Sequence, residues 1–376
     1  MPAFDLVVLG CGGGPNESNL SSYLLKPHDA LWSDGIVALE AGSGIGALLQ
    51  LLKTEPDLFG VRQDGKGHSA AEVFSWIRCY LITHAHLDHV NGVVLGAGAF
   101  PGPPRKIHAT HQTLKDIESL FSDRIWPNLT SWEEENLPPY VSLIYSVLTP
   151  DGQYKPISKD ISVHTMPLSH GRYPSCVLTM YDSAAFFVRH DPSGQEFLFF
   201  GDLEPDSIAG GGRTQAVWDT AAPLIPSRLS TIFIECSWPM GRPDDMLYGH
   251  LNPEHLIEEL ANLAASVWKT RNSNADREDT TSPSSDATST NTPHRVRKRQ
   301  KRNHKSFSHP SPPSADQLRG VLDGVRVVII HCKDDLTGEY DRPVNLVIAD
   351  QIRGLVEERG FGAEVVAAAQ GMHISI

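Results

Sequence analysis

Residues 80–92 read YLITHAHLDHVNG, and six positions within that stretch hold His84, His86, Asp88 and His89. Imidazole and carboxylate are standard ligands for zinc. In the pattern H-x-H-x-D-H, His84 and His86 can direct their side chains to one ion while Asp88 and His89 reach a second. That division calls for a turn, because a regular helix points neighbouring side chains in different directions. The chain has 17 histidines, so a polar loop with a fortuitous cluster is the rival reading. Three further residues weigh against it. PLSHG puts His170 in a loop after an apolar stretch, FLFFGDLEPD puts Asp202 at a strand end, and VVIIHCKDD does the same for His331. Two cations about 3.5–4 Å apart need a bridging ligand that offsets their repulsion, and an aspartate placed like Asp202 serves. The other histidines lack such a setting and read as surface or core residues.

The elements that must position these groups are visible as short apolar runs at residues 4–9, 77–83, 197–200, 231–234 and 325–330. Each has strand length and is rich in β-branched or aromatic residues. The second run is followed by His84, the third by Gly201 and Asp202, the fourth by Glu235 and the fifth by His331. Open α/β sheets build sites from polar groups at the C-terminal ends of their strands, so four such endings suggest convergence. Helices alternate with the runs. Asn252 is placed as an N-cap, with Pro253 at the first helical position and Glu254 in the first turn. Leu256, Leu260, Leu263 and Val267 then mark one helical face. His250 falls in the loop just before that cap. Residues 350–358 also read as helix, with Gly360 where a C-terminal stop belongs. Strands mixed with helices indicate α/β layers. The glycines at 10–14 fit no phosphate-loop pattern. They suggest a tight turn that lets backbone pass close to the site.

A chain of 376 residues with 40% hydrophobic content can bury a large core. Its net charge of −13 argues against a general nucleic-acid binder. The five cysteines are scattered and form no CxxC pair, which fits reduced thiols in an intracellular compartment. The N-terminus has no basic region and only a short apolar run, unlike a signal peptide. No stretch approaches transmembrane length. Residues 271–316 are Ser/Thr/Pro/Asn-rich and carry nine Lys/Arg against five Asp/Glu. Such a segment buries too little surface to offset its ordering entropy. The preferred reading is a disordered loop inserted in one domain. The sharper reading makes residues 295–302 a nuclear-import or nucleic-acid patch.

Taken in order, the motifs resemble a known family. H-x-H-L-D-H continues into Val90, Asn91 and Gly92, and it is accompanied by LGCGGGPNESNLSSYLL, PLSHG, FFGDLEPD, IECSWP, YGHLNPEHL and IIHCKDD. The set resembles the metallo-β-lactamase superfamily and, within it, the class II cyclic-nucleotide phosphodiesterases of fungi and some bacteria. The resemblance runs from Phe4 to about Gly371. It implies an αβ/βα sandwich forming a single domain over residues 1–376, interrupted by the insert. It further implies two zinc ions, one held by His84, His86 and His170 and the other by Asp88, His89 and His331, with Asp202 bridging. His250, Glu235 and Asp88 are the candidate catalytic residues, with Glu235 orienting His250. His250 and His331 compete for the last ligand position, and His331 is favoured because it ends a buried strand.

The implied chemistry is hydrolysis of cAMP, and of cGMP, to the nucleoside 5′-monophosphate by a hydroxide shared between the ions. The implied partners are the cyclic nucleotide and a second copy of the chain, with no membrane or nucleic acid; the implied location is cytoplasmic, with nuclear entry through residues 295–302 as an option. The rivals are another hydrolase on the same metal site, such as a tRNA 3′-processing endonuclease, a thioester hydrolase or a lactamase, and a silent binding scaffold. The scaffold predicts damaged ligands, whereas all seven candidates are present.

Overall fold

Strand alternation decides the layering, because successive side chains point to opposite faces. In the run ending at Glu235, Phe233 joins an apolar core between two sheets. Its neighbours Ile232 and Ile234 pack on the other side, beneath helices. The computed structural model describes residues 1–99, 102–173, 176–278 and 312–376.

The first sheet contains β1 (Phe4–Gly10), β2 (Ser22–Pro27), β3 (Ile36–Leu39), β4 (Ile77–Leu81), β5 (Arg105–Ala109), β6 (Thr130–Ser131) and β7 (Leu143–Val147). The second contains β8 (Lys155–Ser158), β9 (Ile161–Tyr173), β10 (Cys176–His190), β11 (Glu196–Phe200), β12 (Leu229–Glu235), β13 (Arg326–Ile330) and β14 (Glu364–Ala367). β15 (His373–Ser375) returns to pair antiparallel with β1, opposing Ile374 to Leu6. The strand orders are β15-β1-β2-β3-β4-β5-β7-β6 and β14-β13-β12-β11-β10-β9-β8. β3, β4 and β5 run parallel in the first sheet, as do β11, β12 and β13 in the second. Their C-terminal ends therefore share one edge within each sheet.

Phe4, Tyr23, Phe197, Phe199 and Phe233 fill the space between the sheets. Phe4 meets Phe197 edge-on with centroids 5.3 Å apart, and Tyr23 meets Phe199 at 5.4 Å. Each such ring contributes roughly 1.5–3 kcal/mol by burial. Outside the first sheet lie α1 (Ile45–Thr54), α2 (Ala70–Ser75), α3 (Leu87–Gly96) and α4 (His111–Leu120). After β11 comes the short α5 (Asp206–Ala209). α6 (Arg213–Ala221), α7 (Pro253–Glu278) and α8 (Val344–Arg359) then cover the second sheet. Helix, sheet, sheet and helix make the expected αβ/βα sandwich. No helix among the described residues is long and apolar enough to cross a membrane.

Local signals hold well. Asn252 caps α7, its side-chain oxygen accepting from His255 N at 2.9 Å, and Leu256, Leu260, Leu263 and Val267 are all buried. Gly360 ends α8 in the left-handed region. α8 starts at Val344 rather than at residue 350, because Val344, Val347 and Ile348 extend its buried face. α7 continues to Glu278, so the first eight residues of the expected insert are helical; residues 279–311, which include the basic run, lie outside the described residues.

The turn after β3 fixes where α3 begins. Gly92 N donates to Ala41 O at 2.6 Å, and Gly42 N donates to Ser21 O at 2.8 Å. A Cβ on Gly42 would collide with the carbonyl oxygen of Asp88 in the first turn of α3. Gly42→Ala is therefore expected to destabilise the protein by about 1–3 kcal/mol. Gly46→Ala, in α1 with open space around its added Cβ, should be neutral or stabilising by up to about 1 kcal/mol. Urea denaturation of the two variants checks this, and equal midpoints would contradict it.

Candidate metal centre

Each side chain of the cluster is delivered by the end of a regular element. β4 stops at Leu81, and three residues later His84 projects from the loop with Nδ1 3.0 Å from Thr83 Oγ1. His86 is the N-cap residue of α3, and Asp88 and His89 occupy its first turn. The H-x-H-x-D-H run is thus half loop and half helix rather than a simple turn. A carboxylate in the first helical turn is favoured by the helix dipole. His170 sits within β9, not in a loop as its sequence context suggested. The β9–β10 pairing carries the strand past it, with Ser169 opposite Asp182 and a register shift just beyond. Asp202 follows β11 after one glycine. Glu235 is the last residue of β12, and His331 follows β13 directly. His331 has φ +61°, a left-handed conformation that costs a non-glycine residue roughly 1–2 kcal/mol.

The structure brings all of these together. One carboxylate oxygen, Asp202 Oδ2, lies 3.2 Å from His331 Nε2 and 3.4 Å from His89 Nε2. It is 3.6 Å from His170 Nε2, 3.7 Å from His84 Nε2 and 3.7 Å from His250 Nδ1. That oxygen is buried without a hydrogen-bond partner among the described residues. His86 Nδ1 approaches His84 Nε2 at 3.1 Å and His170 Nε2 at 3.2 Å, and His89 Nε2 approaches His331 Nε2 at 3.0 Å. His170 Nδ1 lies 2.8 Å from Gly249 O, which only accepts, so Nδ1 carries the proton and a neutral ring has a bare Nε2. Ring nitrogens crowded around an orphaned carboxylate oxygen are what a cation site requires. Two groups can each hold an ion: His84, His86, His170 and Asp202, and Asp88, His89 and His331. A third, Asp202, His250 and His331, overlaps them.

Burial pushes the His84 and His170 imidazoles well below their ordinary range and His86 down to about 4. These rings are neutral at pH 7, as metal ligands must be. Burial would raise Asp202, but His331 and His89 hold it well below the usual carboxylate range. Burial would lower His89, but Asp202 and Glu40 push it well above.

Beside the cluster, the buried Glu235 accepts from His250 Nδ1 at 3.0 Å and from Ser237 Oγ at 2.8 Å. Ser237 Oγ is also 3.0 Å from His331 Nδ1. The sequence reading missed Glu40 and Ser237. Glu40 lies at the end of β3, at φ +58°, with Oε2 3.5 Å from His89 Nδ1. Its signal was present, since GIVALE is an apolar run ending in a carboxylate, like the runs before Asp202 and Glu235.

Comparison with known structures places the fold first. Unliganded yeast PDE1 matches over 100% of both chains with a TM-score of 0.76 at 22% identity. The metallo-β-lactamase-fold protein YhfI of Bacillus subtilis matches over 100% of both chains with a TM-score of 0.53 at 14% identity. The architecture is thus the metallo-β-lactamase fold. The family model of class-II cAMP phosphodiesterases matches residues 50–279, a shorter span than the motifs cover and one that ends before His331. A Schizosaccharomyces pombe 3′,5′-cyclic-nucleotide phosphodiesterase is 32% identical over 70% of this chain and 76% of its own. A protein of the same description from Aliivibrio fischeri is 31% identical over 69% and 76%. The chain belongs to the class-II cAMP phosphodiesterase family and is a phosphodiesterase.

Asp202→Asn keeps the shape of the side chain and removes the charge that faces five imidazoles. Metal affinity is expected to fall by at least about tenfold, with activity lost in step. Elemental analysis after dialysis checks this. Retention of the wild-type metal content would remove Asp202 from the centre.

Proposed function

We propose that this chain hydrolyses 3′,5′-cyclic nucleotides, cAMP and also cGMP, to nucleoside 5′-monophosphates, with two zinc ions per chain. The observation that carries the reading is the pair of ligand groups meeting at Asp202 beside the Glu235–His250 pair. The phosphodiesterase descriptions of the relatives support the substrate class. We assign His84, His86 and His170 to one ion, Asp88, His89 and His331 to the other, and Asp202 to both. His331 is preferred over His250 as the last ligand because it alone joins Asp88 and His89. Ligands from the ends of both sheets also support reading residues 1–376 as one catalytic domain, with the insert as a loop. The described free thiols, Cys11, Cys79, Cys236 and Cys332, accord with a reducing compartment such as the cytoplasm.

When bound, the ions supply Lewis acidity toward the phosphoryl oxygens and a water acidified toward neutral pH as nucleophile. The protein supplies the rest. Glu235 takes the Nδ1 proton of His250 in a hydrogen bond, which fixes the ring and its tautomer. His250 would then act from Nε2, giving the departing 3′ oxygen a second proton carried there while Nδ1–H stays hydrogen-bonded to Glu235. Asp88 stands 3.3 Å from His331 Nε2, within reach of one shared ion, while Ser237 Oγ at Nδ1 orients that ring. Burial of Glu235, His250 and His331 strengthens these interactions.

Zinc-loaded protein is expected to convert cAMP and cGMP to 5′-AMP and 5′-GMP, with a strong chelator abolishing turnover and 2′,3′-cyclic nucleotides scarcely cleaved. Chromatography of the products decides. The substrate assignment falls if no 5′-AMP forms at millimolar cAMP while a thioester or a pre-tRNA is cleaved.

His250→Ala should lower kcat by roughly 10²–10⁴ with metal content intact. Loss of one metal from that variant would exchange the roles of His250 and His331.

A further inference from the structure

Two clefts open onto the His/Asp cluster. One, of about 750 Å³, begins at His86 and His170 and is lined by Tyr181, Glu204, Asp244 and Asp245. The other, of about 1020 Å³, begins at Asp88 and Lys333 and is walled by residues 238–242 on one side and 333–340 on the other. We propose that the larger cleft is the nucleoside subsite and that the purine packs on Trp238. This rests on the cyclic-nucleotide reading above and adds the orientation of the substrate on the centre.

A cyclic nucleotide has a singly charged phosphate end and a flat, weakly polar base. The larger cleft has the same polarity. At its inner end the Lys333 ammonium lies 3.7 Å from Asp88 Oδ2 and bonds to Gly13 O, beside the cluster. At its mouth stand three large apolar side chains, Leu87, Met240 and Leu336, which are 63%, 41% and 72% exposed. Apolar surface gathered around a cleft marks a ligand site. Both clefts carry carboxylates, three beside Arg172 in the smaller and five beside Lys333 and Arg242 in the larger, so the exposed apolar side chains and the indole, not charge, distinguish the larger one.

Trp238 is built as a stacking platform. The Arg242 guanidinium lies 3.5 Å from its ring centroid, and Arg242 Nε donates to Met246 O at 2.7 Å, which locks the pair. The indole Nε1–H is buried with no hydrogen-bond partner among the described residues. Being buried, that donor lies out of a ligand's reach, so the base meets the ring face and not the N–H edge. The facing wall is already formed. Asp335 accepts from the backbone N–H groups of Thr337, Gly338 and Tyr340 at 3.1, 3.0 and 2.8 Å. Glu17, Asp334 and Glu339 also line the cleft, and such acceptors suit the amino and imino N–H groups of a base.

The test compares steady-state kinetics on cAMP and on methyl ribofuranoside 3′,5′-cyclic phosphate, the same cyclic diester with no base or other aromatic ring. Trp238→Ala should raise KM for cAMP about tenfold or more, in line with the loss of a base–aromatic stack. Its kcat should change by less than about threefold, and KM for the base-free diester should shift far less than KM for cAMP. Trp238→Phe should recover most of the cAMP affinity. If Trp238→Ala loses metal or melts, Leu336→Asp on the exposed opposite wall decides by the same KM split. A wild-type enzyme that turns over cAMP, with KM raised by Tyr181→Ala and unmoved by Trp238→Ala and Leu336→Asp, overturns the subsite alone. A wild-type enzyme that turns over no cAMP removes the function and the subsite together.

Discussion

A carboxylate sealed between two sheets, with ring nitrogens of five histidines within 3.7 Å of one oxygen, sets the terms for the surrounding structure. Burying an ionised group costs several kcal/mol unless it is paired. Asp202 is held ionised all the same, and Asp88 is also held low, through His331 against the opposing effect of burial. Burial meanwhile keeps His84, His86 and His170 neutral, and only His89 among the shifted rings is driven toward protonation. Neutral imidazoles gathered around ionised carboxylates, with Lys333 3.7 Å from Asp88 at the rim, are a donor set that suits a divalent cation.

Holding such a centre requires rigid mounts, and the fold supplies strand ends. β4, β11, β12 and β13 are parallel to a neighbour in their own sheets, so the residues that follow them emerge at common edges. Glu40, directly after β3, and His331, directly after β13, take left-handed conformations. That local cost persists because the surrounding packing fixes both backbones. His331 N donates to Cys11 O at 2.7 Å, and a Cβ on Gly13 would strike the His331 ring. The glycine-rich turn after β1 therefore lets backbone pass close to the site, as its sequence suggested.

What could be read from the sequence was what is local. The spacing of His84, His86, Asp88 and His89, the cap at Asn252 and the apolar runs before Asp202, Glu235 and His331 depend on near neighbours, and each is found where expected. His170 was misplaced because its strand is defined by pairing with β10, and no residue near PLSHG announces that partner. Glu40 was overlooked because a lone acid after a strand has no distinctive spacing; its meaning comes from His89, which lies 49 positions away. The start of the insert was set too early because composition changes at Arg271 while helical hydrogen bonding carries on. α7 runs on to Glu278, and the Asn272 side-chain Nδ2 donates to Trp268 O one turn back at 2.8 Å.

The placement of His250 shows how binding and proton transfer are tied together. Its loop is anchored at both ends, to Glu235 through Nδ1 and to β9 through Gly249. Gly249 O fixes the His170 ring, and a Cβ on Gly249 would come within 2.9 Å of the Gly171 backbone. Both glycines have positive φ, so the close approach and the backbone shape each exclude larger residues. A displacement of this loop would turn His170 away from the metal centre and move His250 away from the leaving oxygen at once. Glu235 adds a second tie, since Ser237 links it to His331 on the other side. The proposed proton donor is thus positioned by the same contacts that aim a ligand in each of the two groups. A site loosened in either ligand group therefore loses alignment of the donor as well.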